Sequence, residues 1–291
     1  MANTYFNWIA EANKLSNNAL VPSNNFSIVI SVHNESGCIA LLIKEIYQTL
    51  KDLPPREVII VDDGSTDDTV AEVSAMMTQY PTLELLCHPH RLGQSAGIVT
   101  GATAARGKWI VFSDGDGQND PRYIPKMFAQ LAQPPRKQQH NQQQKLMLVN
   151  CVRVKRKSSW LKKAYSFCAN WIRRSVLHDD CTDSGCGLKL INREVFLAIP
   201  HFRGMHRFIP VLVTLYGFER TEIEIVDRER FSGCSKYTNT YRALFGIFNL
   251  FGVYWLSKRL IIPTTTETVK KDSSPQKDSN KNNREPGGFS S

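Results

Sequence analysis

The sequence predicts an α/β fold with a mostly parallel central sheet and helices on both of its faces. Short apolar runs, such as residues 26–32 and 56–62, alternate with a longer amphipathic stretch at residues 37–50. This alternation is typical of strands that are joined by helices, and it favours a parallel sheet. The chain has 291 residues, 42% of them hydrophobic, which is enough for a large core in one or two domains.

Hydrophobic periodicity predicts the elements one by one. The strands should lie at residues 26–32, 56–62, 83–88, 109–114 and 146–154, and the helices at residues 37–50, 67–80, 93–105 and 159–177. Asp67 is the expected N-cap of the second helix, and Asp120 caps a helix that begins at Pro121, because a carboxylate at this position accepts the first backbone N–H groups.

Four segments divide the chain. We predict an N-terminal extension at residues 1–25, a main domain at 26–235 with a polar insertion at 133–145, an interfacial helical segment at 236–262 and a disordered tail at 263–291. The aromatic run at residues 243–256 has 14 residues, whereas a membrane-spanning helix needs about 20. We therefore expect a helix in the membrane interface, where Arg242, Lys258 and Arg259 meet anionic headgroups.

The excess positive charge lies in the second half of the chain. Residues 151–262 hold 19 Lys and Arg against 9 Asp and Glu, a net +10, whereas the whole chain is +9. An anionic partner is expected there. No nucleic-acid motif is present, so a phosphorylated ligand or a membrane surface is favoured over nucleic acid. The seven cysteines are scattered and odd in number, which indicates reduced thiols in the cytoplasm, and no signal peptide is evident.

Polar clusters follow three of the predicted strands. They are His33-Asn34-Glu35, Asp62-Asp63-Gly64 and Asp114-Gly115-Asp116. In a parallel sheet these strand ends share one edge, where ligands bind, so the clusters should form one crevice.

The pair Asp114 and Asp116 is best explained by a cation. A calcium EF-hand is excluded by spacing, because Asn119 replaces the required glycine and Pro125 the bidentate glutamate. A proton-sharing carboxylate pair remains open. Mg²⁺ or Mn²⁺ held together with substrate phosphates is the favoured interpretation. No P-loop is present, so carboxylates after residue 61 suit ribose hydroxyls or a base N–H.

Several segments resemble family 2 glycosyltransferases of the GT-A fold. They are SVHNES, VDDGSTD, GQSAGIVTGATAARG and SDGDGQNDP, and the later segments TDSGCGLK, HRFIP and RERFSGCSKY resemble the branch that moves sugars onto polyprenyl phosphates. Dolichyl-phosphate mannose synthase and bacterial undecaprenyl-phosphate glycosyltransferases belong to this branch. The resemblance covers about residues 26–260.

The resemblance implies roles for individual residues. Glu35, Asp62, Asp63, Gln94, Asp114 and Gln118 would bind the nucleotide-sugar, and Asp114, Asp116 and Gln118 would hold Mg²⁺ or Mn²⁺. Arg153, Arg156, Arg207, Arg230, Ser235 and Lys236 would bind the acceptor phosphate. Asp183 and Asp116 would be catalytic, with Asp183 either a base or a positioning residue.

The function implied is the transfer of one sugar, with inversion, from a nucleotide-sugar to undecaprenyl or dolichyl phosphate. A UDP-sugar is the favoured donor, and GDP-mannose is the alternative. The enzyme would be peripheral on the cytoplasmic face of the membrane, and a homo-oligomer is left open. Three alternatives compete with this interpretation. They are a family 2 enzyme with a lipopolysaccharide, polysaccharide or other acceptor, an inactive scaffold of the same fold, and a sugar nucleotidyltransferase.

Overall fold

A computed structural model describes residues 25–133, 146–154, 172–177, 179–229, 231 and 239–260 of the chain. The predictions for the N-terminal extension, most of the polar insertion, the first part of the basic helix and the tail lie outside the described residues. The segment at 172–177 is helical, as predicted for the end of the basic helix.

Seven strands form one mixed sheet in the order β3-β2-β1-β4-β6-β5-β7. The strands are β1 Phe26–Val32, β2 Glu57–Asp62, β3 Leu83–Cys87, β4 Trp109–Asp114, β5 Leu146–Val154, β6 Lys189–Asn192 and β7 Glu219–Val226. Only β6 runs antiparallel to its neighbours, β4 and β5, whereas the other pairs are parallel. The mostly parallel sheet is confirmed.

The helices are α1 Ile39–Thr49, α2 Thr69–Met77, α3 Gln94–Ala104, α4 Ile124–Leu131, α5 Arg193–Ala198, α6 Ile209–Leu215 and α7 Asn239–Arg259. The first three helices lie within one to three residues of the predicted bounds, whereas α5 and α6 were not predicted. Helix α2 begins two residues after the expected cap, yet Asp67 Oδ1 still accepts a hydrogen bond from the Thr69 N–H. Asp120 caps the 3₁₀ turn Pro121–Tyr123, as predicted.

Two hydrophobic clusters cover the two faces of the sheet. In β1, Ile28 and Ile30 contribute to the first cluster and Val29 to the second, because successive side chains of a strand point to opposite faces. Helices α1, α2 and α4 pack in the first cluster, and α3, α5, α6 and α7 in the second. Both faces are therefore buried, which explains why the strands are apolar throughout.

Candidate active site

The strand directions bring six chain segments to one edge of the sheet. Strands β1, β2 and β4 end there in the three predicted polar clusters. Because β6 is antiparallel, the segment that precedes it, residues 179–188, reaches the same edge. Strands β5 and β7 also end there. Parallel sheets bind ligands at this edge.

The acidic turn after β4, residues 114–119, is held by hydrogen bonds among its own residues. The N–H of Asp114 donates to Asn119 Oδ1 at 3.0 Å, and the N–H of Gln118 donates to Asp116 Oδ1 at 3.1 Å. Gly117 has φ +75°, a conformation that glycine adopts without strain. The turn therefore directs its carboxylates from a fixed backbone.

Asp114 is a perturbed carboxyl. Its desolvation and the neighbouring Asp116 raise its pKa to about 6, against opposing effects of Lys189 and Arg153. The segment before β6 lies directly on it, because a Cβ added to Gly187 would be 2.1 Å from Asp114 Oδ2. Two close carboxylates in a desolvated place are the arrangement that a bound cation stabilises.

The turn fits a divalent metal that takes part of its ligands from a substrate. Among the described residues, no group of three or more His, Cys, Asp and Glu could hold a metal ion. Asp114, Asp116 and the Gln118 amide oxygen would supply only part of an octahedral set of ligands. Mg²⁺ commonly binds in this way, through one or two carboxylates together with substrate phosphates.

Asp62 and Asp63 are both 2% exposed but have different surroundings. Oδ2 of Asp62 accepts the Ser65 N–H, whereas its Oδ1 is buried with no hydrogen-bond partner among the described residues. A buried acceptor without a donor is unfavourable. A ligand N–H or hydroxyl would satisfy Asp62 Oδ1, as expected of a nucleoside-binding residue.

The Asp63 carboxylate organises the following loop. It accepts the N–H groups of Leu92 and Gly93, both at 2.8 Å, and is 2.9 Å from His88 Nδ1. Burial alone would raise the pKa of Asp63, but the hydrogen bonds from His88, Leu92 and Gly93 outweigh it and the pKa lies below its ordinary value. Direct contact of Asp63 with a nucleotide stays a prediction.

The remaining predicted donor residues lie around the same crevice. Gln94, the first residue of α3, donates from Nε2 to Asp114 Oδ1 at 2.8 Å. The N–H of Glu35 donates to Thr69 Oγ1, and Asn34, with φ 56°, accepts the Thr66 N–H. The loops after β1 and β2 are therefore tied together.

Arg153 and Asp183 form a two-point ion pair at the other side of the crevice. Arg153 Nε and Nη2 donate to the two carboxylate oxygens of Asp183 at 2.7 and 2.9 Å. Each side chain is 15% exposed, and Asp227 lies 3.8 Å from Arg153 Nε. Burial disfavours the guanidinium charge, but Asp183 outweighs it and keeps the pKa of Arg153 above its ordinary value.

The other predicted phosphate ligands divide into two groups. Arg207 is described and ends the 3₁₀ turn Met205–Arg207, next to His206, whose Nδ1 is 2.9 Å from Ser95 Oγ. Four lie outside the described residues, namely Arg156, Arg230, Ser235 and Lys236.

Sequence reasoning missed several residues that shape the crevice. They are Glu45, His88, Asn119, Lys189 and Arg228. Lys189 is 2% exposed, and its ammonium donates to the carbonyl groups of Ser184 and Cys186. A signal was available for Lys189 and Arg228, because both lie inside the segments TDSGCGLK and RERFSGCSKY. Glu45 and His88 had none, since each lies outside the recognised segments.

Comparison with known proteins identifies the family. The family model described as glycosyl transferase family 2 matches residues 27–209. The chain belongs to glycosyl transferase family 2. Strands β1 to β6, apart from the first residue of β1, and the acidic turn fall inside the matched range. The match therefore includes the edge of the sheet where the carboxylates lie.

Curated relatives in this family carry names of polyprenyl-phosphate enzymes. The chain is 28% identical over 236 residues to a dodecaprenyl-phosphate galacturonate synthase of Rhizobium johnstonii, covering 79% of this chain and 67% of that protein. It is 30% identical over 217 residues to an undecaprenyl-phosphate 4-deoxy-4-formamido-L-arabinose transferase of Pectobacterium carotovorum, covering 74% of this chain and 63% of that protein. The chain thus spans about two thirds of the length of these relatives.

Solved structures with this fold include glucosyl-3-phosphoglycerate synthase of Mycobacterium tuberculosis. Its complex with Mn²⁺, uridine diphosphate and phosphoglyceric acid has a TM-score of 0.60 at 20% sequence identity, covering 87% of this chain and 84% of that chain. Its complex with Mg²⁺ and uridine diphosphate has a TM-score of 0.59 at 19% identity, covering 87% and 85%. The fold of this glycosyltransferase is therefore the GT-A fold.

Proposed function

We propose that this family 2 glycosyltransferase moves one sugar from a nucleotide-sugar to a polyprenyl phosphate. The proposal rests mainly on one observation, namely that the acidic turn and the Arg153–Asp183 pair lie at the same edge of the sheet. Arg153 is close enough to Asp114 to oppose the increase in its pKa. A diphosphate donor and a phosphate acceptor both need cationic partners at such a site. The names of the relatives from Rhizobium and Pectobacterium support the acceptor class.

The donor half of the site consists of the ends of β1, β2 and β4. The unsatisfied oxygen of Asp62 takes a base or ribose donor, with Glu35 at the mouth of the same pocket. Asp114, Asp116 and Gln118 hold Mg²⁺ or Mn²⁺, and Gln94 orients the Asp114 carboxylate. When bound, the metal neutralises the charge of the departing nucleotide diphosphate. A UDP-sugar is the favoured donor, and GDP-mannose is the alternative.

The acceptor half of the site centres on Arg153. A guanidinium binds phosphate through two parallel hydrogen bonds, and Arg207, Arg156, Arg230, Ser235 and Lys236 are the further phosphate ligands of the proposal. A phosphate monoester has a second pKa of about 6, so the acceptor is largely a dianion at neutral pH. Asp183 therefore has to orient the acceptor or sugar more than to remove a proton. Attack on the anomeric carbon in line with the leaving diphosphate inverts its configuration.

The acceptor lipid implies contact with a membrane surface. Across the part of the chain that the structure describes, no helix has the length and apolar character needed to cross a bilayer. Helix α7 packs Leu250 and Val253 into the core and leaves Phe248, Phe251 and Trp255 73%, 62% and 61% exposed. Lys258 and Arg259 follow at its end. This exposed aromatic face lies in the headgroup region of the cytoplasmic leaflet.

A partition assay tests the proposal. The purified protein is incubated with Mn²⁺, short-chain polyprenyl phosphate and one radiolabelled UDP- or GDP-sugar at a time, and label is measured in the organic phase. Label from one donor is expected, and the Asp116→Ala variant should lose it. Metal-dependent nucleotide binding without lipid label would instead favour the other-acceptor alternative, whereas neither binding nor label would refute the assignment of the acidic turn.

A further inference from the structure

Arg228 connects helix α1 to the acidic turn. Its Nη1 and Nη2 donate to the two carboxylate oxygens of Glu45 in α1 at 2.6 and 2.9 Å. Nη2 also lies 3.1 Å from the carbonyl oxygen of Gly117 and 3.5 Å from that of Asn119. One guanidinium thus joins a helix to both sides of Gln118.

The backbone next to Arg228 holds the same turn. The Arg228 N–H donates to the Gln118 carbonyl at 3.2 Å, and Gln118 Nε2 lies 3.4 Å from the Arg228 carbonyl oxygen. The Phe231 N–H faces the Asp116 carbonyl at 3.4 Å. The Phe231 ring covers Gly117, where an added Cβ would be 2.4 Å from the ring.

We propose that Arg228, anchored by Glu45, is a positioning residue that sets the shape of the metal-binding turn. The inference rests on the proposed function, since it assumes that Asp114, Asp116 and Gln118 hold the metal. Gln118 Nε2 is engaged by the Arg228 carbonyl, which leaves the amide oxygen as the end available to a cation. Two mutually repelling carboxylates tend to open the turn, and the guanidinium contacts to Gly117 and Asn119 oppose that opening.

The ion pair with Glu45 fixes the orientation of the Arg228 guanidinium, which in water alone could hydrogen-bond in many directions. Glu45 is 24% exposed and Arg228 23%, so the pair is shielded from solvent enough for its two-point geometry to be retained. Arg228 also stands 5.2 Å from the centroid of the Phe231 ring, a distance typical of a cation–π contact. Lysine has a single charged nitrogen and cannot reach Glu45 and the turn carbonyls in the same geometry.

The test compares Arg228→Lys with Arg122→Lys. Arg122 forms a similar fork on Asp120, which directly follows the turn, so the second variant controls for loss of a two-point arginine pair. Two quantities are measured for each protein. They are the half-saturating Mn²⁺ concentration for UDP binding, followed by calorimetry, and the unfolding temperature in EDTA.

Arg228→Lys should raise the half-saturating Mn²⁺ concentration about tenfold, the effect of losing one or two charge-assisted hydrogen bonds. Arg122→Lys should leave it within about twofold even if both variants lose thermal stability. Glu45→Gln, which keeps one acceptor oxygen, should give a smaller increase in the same direction, and it serves as the test if Arg228→Lys does not fold.

Exchanging the charges of Glu45 and Arg228 tests whether the ion pair alone is sufficient. In the double variant Glu45→Arg with Arg228→Glu the ion pair can reform, but a carboxylate cannot donate to the carbonyls of Gly117 and Asn119. We expect the Mn²⁺ requirement to stay high.

Each failure has its own signature. Unchanged Mn²⁺ half-saturation in Arg228→Lys, or full recovery in the exchanged pair, would overturn the positioning role while the unmodified protein still binds UDP. Absence of Mn²⁺-dependent UDP binding in the unmodified protein would overturn the proposed function together with this inference.

Discussion

At the scale of a single side chain, the raised pKa of Asp114 lowers the folding stability of the metal-free protein at neutral pH. Its carboxyl is desolvated beneath Gly187 and faces Asp116, so its pKa is about 6 rather than 3.8. A carboxyl whose pKa is raised in the folded state binds its proton more tightly there than in the unfolded chain. Folding stability therefore falls as pH rises from 3.8 to about 6 and stays reduced above that range.

Asp114→Asn should accordingly stabilise the metal-free protein. At pH 7.5 in EDTA we expect its free energy of unfolding to rise by ~1–3 kcal/mol, because the raised pKa corresponds to about 1.4 kcal/mol for each unit. The gain should shrink as the pH falls from about 6 towards 3.8, and Mn²⁺-dependent UDP binding should be lost. Urea denaturation at several pH values measures the free energy of unfolding.

Asp120→Asn is the matched control, with the opposite sign. Burial alone would raise the pKa of Asp120, but Arg122 outweighs it and the pKa lies below its ordinary value, so loss of this carboxylate should destabilise the protein. Destabilisation by Asp114→Asn at pH 7.5 would contradict the account of Asp114.

Substitutions of Arg153 and Asp183 should change different kinetic constants, although the two side chains form one ion pair. Arg153→Lys keeps the charge but loses the fork, so the KM for the lipid acceptor should rise about tenfold with little change in the KM for the donor. Asp183→Asn should lower kcat by about 100-fold through loss of acceptor orientation. Initial rates at varied donor and acceptor concentrations measure both. Equal effects on the donor and acceptor KM of Arg153→Lys would refute its assignment to the acceptor half.

At the scale of elements, the segment before β6 joins the two halves of the site. Residues 183–188 run from Asp183 to the position where Gly187 contacts Asp114, and Lys189 fixes this path through the carbonyls of Ser184 and Cys186. The ammonium is also among the charges that lower the pKa of Asp114. One short segment thus connects Asp183 to the turn that carries Asp114.

Gly187→Ala should disturb both halves together. An added Cβ would be 2.1 Å from Asp114 Oδ2, so either the segment or the carboxylate must shift. We expect kcat to fall at least about tenfold, since small displacements of catalytic groups are costly, and the Mn²⁺ requirement to rise. Gly246→Ala in α7 is the control, because nothing lies within 4 Å of the added Cβ. Equal activity of the two variants would contradict the close packing on Asp114.

Sequence periodicity was sufficient to predict the strands that are buried on both faces. Strands β1, β2 and β4 are apolar because both faces of the sheet are covered, so their ends and the polar residues that follow could be predicted. Strand β6 has four residues, too few for a recognisable period, and its antiparallel direction depends on pairing with distant strands.

Contacts between distant segments could not be predicted from local pattern. Glu45 and Arg228 are 183 residues apart, and no spacing rule relates them. Asp62 and Asp63 are adjacent and chemically identical, yet the loop N–H groups of Leu92 and Gly93 engage only Asp63. Similarly, the sequence indicated Arg153 and Asp183 separately, whereas their ion pair depends on how β5 and β6 align.

At the scale of the whole molecule, helix α7 exposes a row of aromatic side chains. The exposed side chains of α7 have no cover among the described residues, and Lys258 and Arg259 lie 5.5 and 5.7 Å from the rings of Tyr254 and Trp255. Aromatic and basic side chains in this combination are typical of helices that lie in the headgroup region.

Replacing Phe248, Phe251 and Trp255 by serine should weaken binding to anionic vesicles at least about tenfold, because each aromatic ring buries a large apolar area in the interface. Sedimentation with vesicles of phosphatidylglycerol and phosphatidylethanolamine measures it. The control is Leu41→Ser, at an apolar side chain of α1 that is 51% exposed. Equal binding by the two variants would contradict the interfacial role of α7.

The acceptor phosphate is the central claim, and one comparison tests it most directly. Label transfer from the preferred nucleotide-sugar is measured with polyprenyl phosphate, with the matching polyprenol that lacks the phosphate, and with 3-phosphoglycerate, a phosphate acceptor without a lipid. The account predicts rapid transfer to polyprenyl phosphate alone, and loss of that transfer in Asp116→Ala. Equal transfer to the polyprenol, or preference for the soluble phosphate, would contradict it.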